Sequence, residues 1–193
     1  MQAEFSVELG RDDDCLEVPW ASADGSVRYF NLKAQPELLL EISEAMHNRE
    51  LGEFLSHVNG PRSGVESAKC DTWLSDELNE EDAVFEAKWK FGSYVDLVFS
   101  AELSRLSFEQ HERLAKELAM LLRKAPEIAA SAEVVVRRCY FHRSGSADDS
   151  EPGFCITLYV FGYGDDEHEA KRRWVVAMQL AQNALMQATG GSR

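Results

Sequence analysis

The stretch EVVVRRCYFHR (Glu133–Arg143), followed after SGSADDSEPG by FCITLYVFGY (Phe154–Tyr163), decides the fold class. Both runs are dense in β-branched and aromatic residues, which suit a pleated, half-buried surface. The cluster of Ser, Gly, Asp and Pro between them reads as a loop. Two strands in direct succession pair antiparallel, because a parallel pair needs a long crossover.

The neighbouring elements extend this pattern. Upstream, a helix is predicted over 107–124. Ser107 and Gln110 form a capping box, Leu114, Leu118, Leu121 and Leu122 make the buried stripe, and Pro126 stops it. Further upstream, Val65–Leu74, Val84–Phe91 and Tyr94–Ser100 alternate, with Gly92-Ser93 as a turn, which predicts a three-stranded meander over 65–100. The segment 16–60 reads as a hairpin about Asp24-Gly25 followed by two short helices. Pro36 opens the first helix, and Asn59-Gly60-Pro61 ends the second. Pro19 assigns the first strand to an edge. Downstream, a helix is predicted over 167–187 and a frayed tail after it. Strands come in consecutive runs rather than alternating with helices. The expectation is one α+β domain over 1–193: a mostly antiparallel sheet of about five to seven strands, helices mainly on one face, closing in a β-α-β-β-α order.

The chain of 193 residues carries 34 acidic against 20 basic side chains, a formal charge of −14. That balance repels phosphate backbones and anionic lipid, so nucleic acid and membrane are not expected partners. It favours fast association with a basic protein. Hydrophobic content of 45% argues for a packed core. The N-terminus shows no secretory pattern and no apolar run reaches membrane-span length. Cys15, Cys70, Cys139 and Cys155 are scattered and form no CxxC, so they read as free thiols. The expected location is the cytoplasm.

The densest ionisable cluster is GYGDDEHEAKRRW, Gly162–Trp174. Asp166 with Glu169 three residues later reads as a helix cap, and Arg173 follows Glu169 by four. A helical metal site needs ligands at i and i+4, but His168 has Arg172 and Gly164 at those distances. Cys139 and His142 are three apart on a strand and face opposite sides, so they do not chelate one ion. No P-loop, GxGxxG, HExxH, GxSxG or EF-hand pattern is present, and no metal or cofactor is expected.

Pairing Arg143 opposite Phe154 would put Arg138, Tyr140, His142, Cys155, Tyr159, Phe161 and Tyr163 on one aromatic-polar face, with His142 across from Cys155. Three readings compete for this face: a nucleophilic or ligand-binding site, a base-stacking surface, or an interface covered by N-terminal elements or a second subunit. GFCITLYVF lacks the basic-Gly-aromatic order of sheet-borne RNA binders. Tyr-rich surfaces with one or two arginines suit interfaces. Lys88 and Lys90 read as solvated lysines above a core Trp89. Asp96 is a surface ion-pair partner unless it sits in a pocket with a raised pKa. The acidic run Asp76, Glu77, Glu80, Glu81 and Asp82 reads as a solvated face and, more specifically, as bait for a basic partner. The leading expectation is a non-catalytic protein that binds, and inhibits or neutralises, a basic protein. The alternatives are a small-ligand site or enzyme on the aromatic-polar face, and a structural homodimer.

Overall fold

The structure is a computed structural model that describes residues 1–10, 15–22, 25, 28–142 and 150–190. The chain is α+β, with a six-stranded, mostly antiparallel sheet. Its centre is the pair read from the sequence, β5 (Ala130–His142) and β6 (Ser150–Gly164). On one side β6 pairs antiparallel with β4 (Trp89–Phe99), and β4 with β3 (Val65–Ser75), which forms one edge. On the other side β1 (Gln2–Glu8) and the short β2 (Leu16–Val18) lie end to end along β5, both parallel to it.

Three helices cover one face. α4 (Phe108–Arg123) lies over β1 and β5, α5 (Glu167–Gly190) over β6 and β4, and α2 (Arg49–Val58) packs beside α5. α1 (Ser43–His47) and a 3-10 turn, Pro36–Glu41, precede α2, while the one-turn α3 (Glu102–Arg105) follows β4. Each helix contributes the stripe its sequence spacing dictates: Leu114, Leu118 and Leu122 from α4, Trp174, Met178 and Leu185 from α5, Leu51, Phe54 and Leu55 from α2. They meet alternate strand residues, among them Val134, Val136, Ile156, Leu158, Val95 and Leu97. Gly162 marks the closest approach: a Cβ there would lie 2.2 Å from the Trp174 backbone nitrogen. α4 is capped by Ser107, whose hydroxyl accepts from the Gln110 N–H. α5 is capped by Asp166, which accepts from the Glu169 N–H at 2.7 Å, and Glu169 pairs with Arg173. The GYGDDEHEAKRRW charges therefore start a helix.

Three expectations are corrected. The stretch 65–100 is a hairpin of two long strands rather than a three-stranded meander. Residues 81–85 form a 3-10 turn, and β4 runs straight through Gly92-Ser93. Gly92 is small because the Trp73 indole of β3 lies across it, 2.7 Å from where a Cβ would stand. Second, Arg138, not Arg143, opposes Phe154. The shift is odd in number, so β5 presents its other side. Third, β1 joins the sheet where no strand was expected. In the N-terminal hairpin, Ala21 bridges Arg28 and the Tyr29 N–H donates to the Trp20 carbonyl, but Asp24 and Val27 lie outside the described residues.

Candidate functional site

Among the described residues, the helical elements over the second face of the sheet are short: α3 near Gly153 and the 3-10 turn of residues 81–85 on Tyr163. One end of this face lies under residues 15–22 and 28–33 of the N-terminal segment. Val18 packs with Ala68, Val98, Cys139, Phe141 and Cys155 in a small second core, flanked by Leu16 and Tyr29. The Trp20 indole N–H donates to the Ala68 carbonyl at 2.7 Å. Lys33 fixes the far end of the segment, donating to the carbonyls of Ser63 and Val65 and to the Ser100 hydroxyl. Cys139 and Cys155 are both buried. The hydrogen bond between them, together with burial, holds the Cys155 thiol well above its ordinary value. This makes it a poor nucleophile, since reactivity needs the thiolate.

Beyond this segment the face carries an aromatic cluster. The rings of Tyr159 and Phe161 stack 6.1 Å apart at 3°, and Tyr94 and Trp73 lie against them. Trp73, Tyr94 and Tyr159 remain partly exposed. Asp96 lies beside them, 8% exposed, and accepts from the Thr157 hydroxyl at 2.6 Å. Burial raises its pKa, and Arg137 and Lys69 oppose the rise. The cations over these rings already have partners: Arg137, above Tyr159, pairs with Glu8 at 2.7 Å, and Lys90, above Phe161, pairs with Asp82 at 2.6 Å.

The far end of the face is shaped by the acidic segment. Asp82 turns inward, 4% exposed. It accepts from Lys90, from the Tyr163 hydroxyl at 2.7 Å and from the Asn79 N–H at 3.0 Å. Burial raises its pKa, but these donors outweigh it and leave the carboxyl below its ordinary 3.8. Phe85 stacks on Tyr163 with ring centres 4.0 Å apart. Pinned by this anchor, Asp76, Glu77, Glu80 and Glu81 stay exposed. A hollow of about 340 Å³ opens beside the anchor, between Phe85, Tyr163, Ser131 and the carboxylates of Glu4, Glu81, Asp82 and Glu133. Among the described residues no basic side chain lines it. Burial first, then Glu81, Glu4 and Asp82, push the Glu133 carboxyl upward, and only Lys90 offsets them.

The residues singled out from the sequence thus separate. Cys155, Tyr159, Phe161 and Tyr163 share the face opposite α2, α4 and α5. Arg138, Tyr140 and His142 are on the opposite side of β5, and the residue across from Cys155 is Arg137, not His142. His142 instead approaches Glu17, at 3.3 Å. Of the acidic run, Asp82 is structural and the other four are outward. Sequence reasoning missed Glu4 and Glu133, which come from strands distant in the chain, and Trp73, whose signal was the glycine at position 92. Among the described residues no group of three or more His, Cys, Asp or Glu is placed to hold a metal ion, and no helix is long and apolar enough to cross a membrane. Fold and site define an α+β protein whose sheet presents an aromatic face ending in an acidic hollow. Comparison with protein-family models, curated proteins and solved structures finds no match for this chain.

Proposed function

We propose that this protein acts without catalysis, by binding a basic protein and neutralising or inhibiting it, with the acidic hollow receiving a lysine or arginine side chain and the aromatic cluster forming the adjoining contact. One observation carries the reading: Glu4, Glu81, Asp82 and Glu133 converge on one hollow with no cation in its lining among the described residues. At Glu133 burial first, and then repulsion from Glu81, Glu4 and Asp82, push the carboxyl's pKa upward, and an entering cation offsets that repulsion. The flat ring system of Phe85 on Tyr163 offers that cation an apolar wall. The net charge of −14 adds long-range attraction. The four free cysteines support a reducing compartment, and the cytoplasm is the location we assign.

The test is capture from the native lysate by the immobilised protein and by its Glu80→Lys/Glu81→Lys variant. Both side chains are exposed, so the substitution leaves the fold intact. The expected result is a basic protein retained by the first and lost by the second, with an association rate that drops steeply as salt is added. Capture that is indifferent to charge reversal and to salt would refute the reading.

A further inference from the structure

A groove of about 1020 Å³, larger than the acidic hollow, lies in the helix layer. Its banks are the 3-10 turn with α1 and α2 on one side and the last turns of α5 on the other. The floor is apolar, built from Leu39, Leu40, Met46, Val58, Leu185 and Met186. Three of these side chains are left in water: Leu40 is 70% exposed, Met46 60% and Met186 42%. Adjoining apolar groups left exposed in one concavity mark a binding surface, whereas scattered single ones do not. Two are methionines, whose unbranched side chains adapt to the shape of a partner.

The rim reverses the charge of the molecule. Arg49, His57 and Arg62 line it, against a single acid, Glu53. Glu53 is already paired with Arg49 at 2.7 Å, which leaves the Arg62 guanidinium as the charge for a ligand, with the His57 ring beside it as a hydrogen-bonding group. In a chain with 34 acidic and 20 basic side chains, this is a site for a negatively charged ligand.

We infer that this groove docks an amphipathic helix of a partner protein, its apolar face on the Leu and Met floor and its acidic side chains on Arg62 and against the His57 ring. The form of the groove selects the occupant. It leaves Leu40, Met46 and Met186 in water, whereas an acyl chain or drug-like ligand needs most of its surface enclosed. A helix buries one stripe and keeps the other wet, which an open groove between helices permits. The inference is independent of the acidic hollow, which lies on the other face of the sheet and favours cations.

The experiment is selection from a displayed library of amphipathic helical peptides on the full-length protein, with counter-selection on the Met186→Glu variant. Met186 is exposed, so the variant folds, and peptides drawn to the acidic hollow bind both forms and are removed. Expected are peptides with apolar residues at i, i+3, i+4 and i+7 and Asp or Glu beside them. Their affinity should fall at least about tenfold with Arg62→Glu and weaken with salt. The inference is overturned if the survivors are basic, if none survives, or if Arg62→Glu leaves affinity unchanged. It is also overturned if oleate alone binds stoichiometrically and displaces the peptides, which would make the groove a fatty-acid site. Light scattering that shows a dimer abolished by Met186→Glu would assign the groove to a second copy of the chain.

Discussion

Replacing Asp82 by Ala tests whether one buried ion pair gives the acidic segment its shape. The pair is nearly dry: side-chain exposure is 6% for Asp82 and 13% for Lys90, at 2.6 Å. An exposed pair is worth roughly 0.2–1 kcal/mol, but removing one partner of a buried pair costs about 3–5 kcal/mol, because the other charge is stranded. Two features place Asp82→Ala toward the lower end. Tyr163 keeps a second partner in the Ser131 hydroxyl at 3.0 Å, and Lys90 keeps the Phe161 ring at 5.4 Å. The expected loss is therefore about 3 kcal/mol at neutral pH. Urea unfolding should show a lower midpoint with an unchanged slope. Asp82→Ala combined with Lys90→Met removes the stranded charge as well and should recover to within about 1 kcal/mol of the parent. The pH dependence follows from the depressed pKa. The unfolded chain takes up the proton first, so the contribution is complete above the ordinary 3.8 and is lost as pH falls through the lower folded value. A single-variant cost under about 1 kcal/mol, or a double variant less stable than the single, would refute the reasoning.

Two further outcomes test the core. In Gly162→Ala the new methyl group meets the Trp174 nitrogen at 2.2 Å and the Ala170 carbonyl oxygen at 2.4 Å, backbone atoms that cannot yield without lifting α5. A loss of about 3 kcal/mol is expected, read as a drop of roughly 6–12 °C in thermal midpoint. His111 is fully buried between Phe99 and Phe154, with Nδ1 2.8 Å from the Ser107 carbonyl oxygen. Burial holds its pKa below the ordinary 6.5, so as pH falls through 6.5 the unfolded chain protonates first and stability declines. Chemical denaturation across that range should show the decline in the parent and a flatter profile in His111→Leu.

The helices were legible because each carries its own signal. Ser107 and Asp166 announce caps, and the leucine spacing of α4 fixes its buried side without reference to any other element. The strands were legible as runs, but their sides were not. A strand's parity depends on its partner's register, and the sequence between the two runs gives no local rule for it. One wrong assumption there sent Arg138, Tyr140 and His142 to the wrong face and hid Arg137. β1 was illegible for a related reason. Its seven residues bury little beyond Ala3, and its partner lies some 130 positions away, so neither hydrophobic period nor turn chemistry points to it.

Gly92 and the acidic run show how a local reading fails in opposite directions. A glycine beside a serine reads as a turn, yet here it is the space that Trp73 occupies from the next strand. A run of acids reads as a uniformly solvated face, yet one of its members, Asp82, turns inward and organises the rest. Lys90 and Tyr163 that hold it lie on β4 and β6, and Glu4 and Glu133 that complete the hollow lie on β1 and β5. Four strands thus converge on a feature that only one short segment announces. The negative charge is diffuse in composition but concentrated in space, because a buried lysine and a tyrosine hydroxyl fix where the acidic segment rests. If that anchor is cut, the exposed acids remain in the sequence with no hollow to define, so Asp82→Ala should weaken binding of a basic partner both by removing one lining carboxylate and by releasing the segment that carries Glu81.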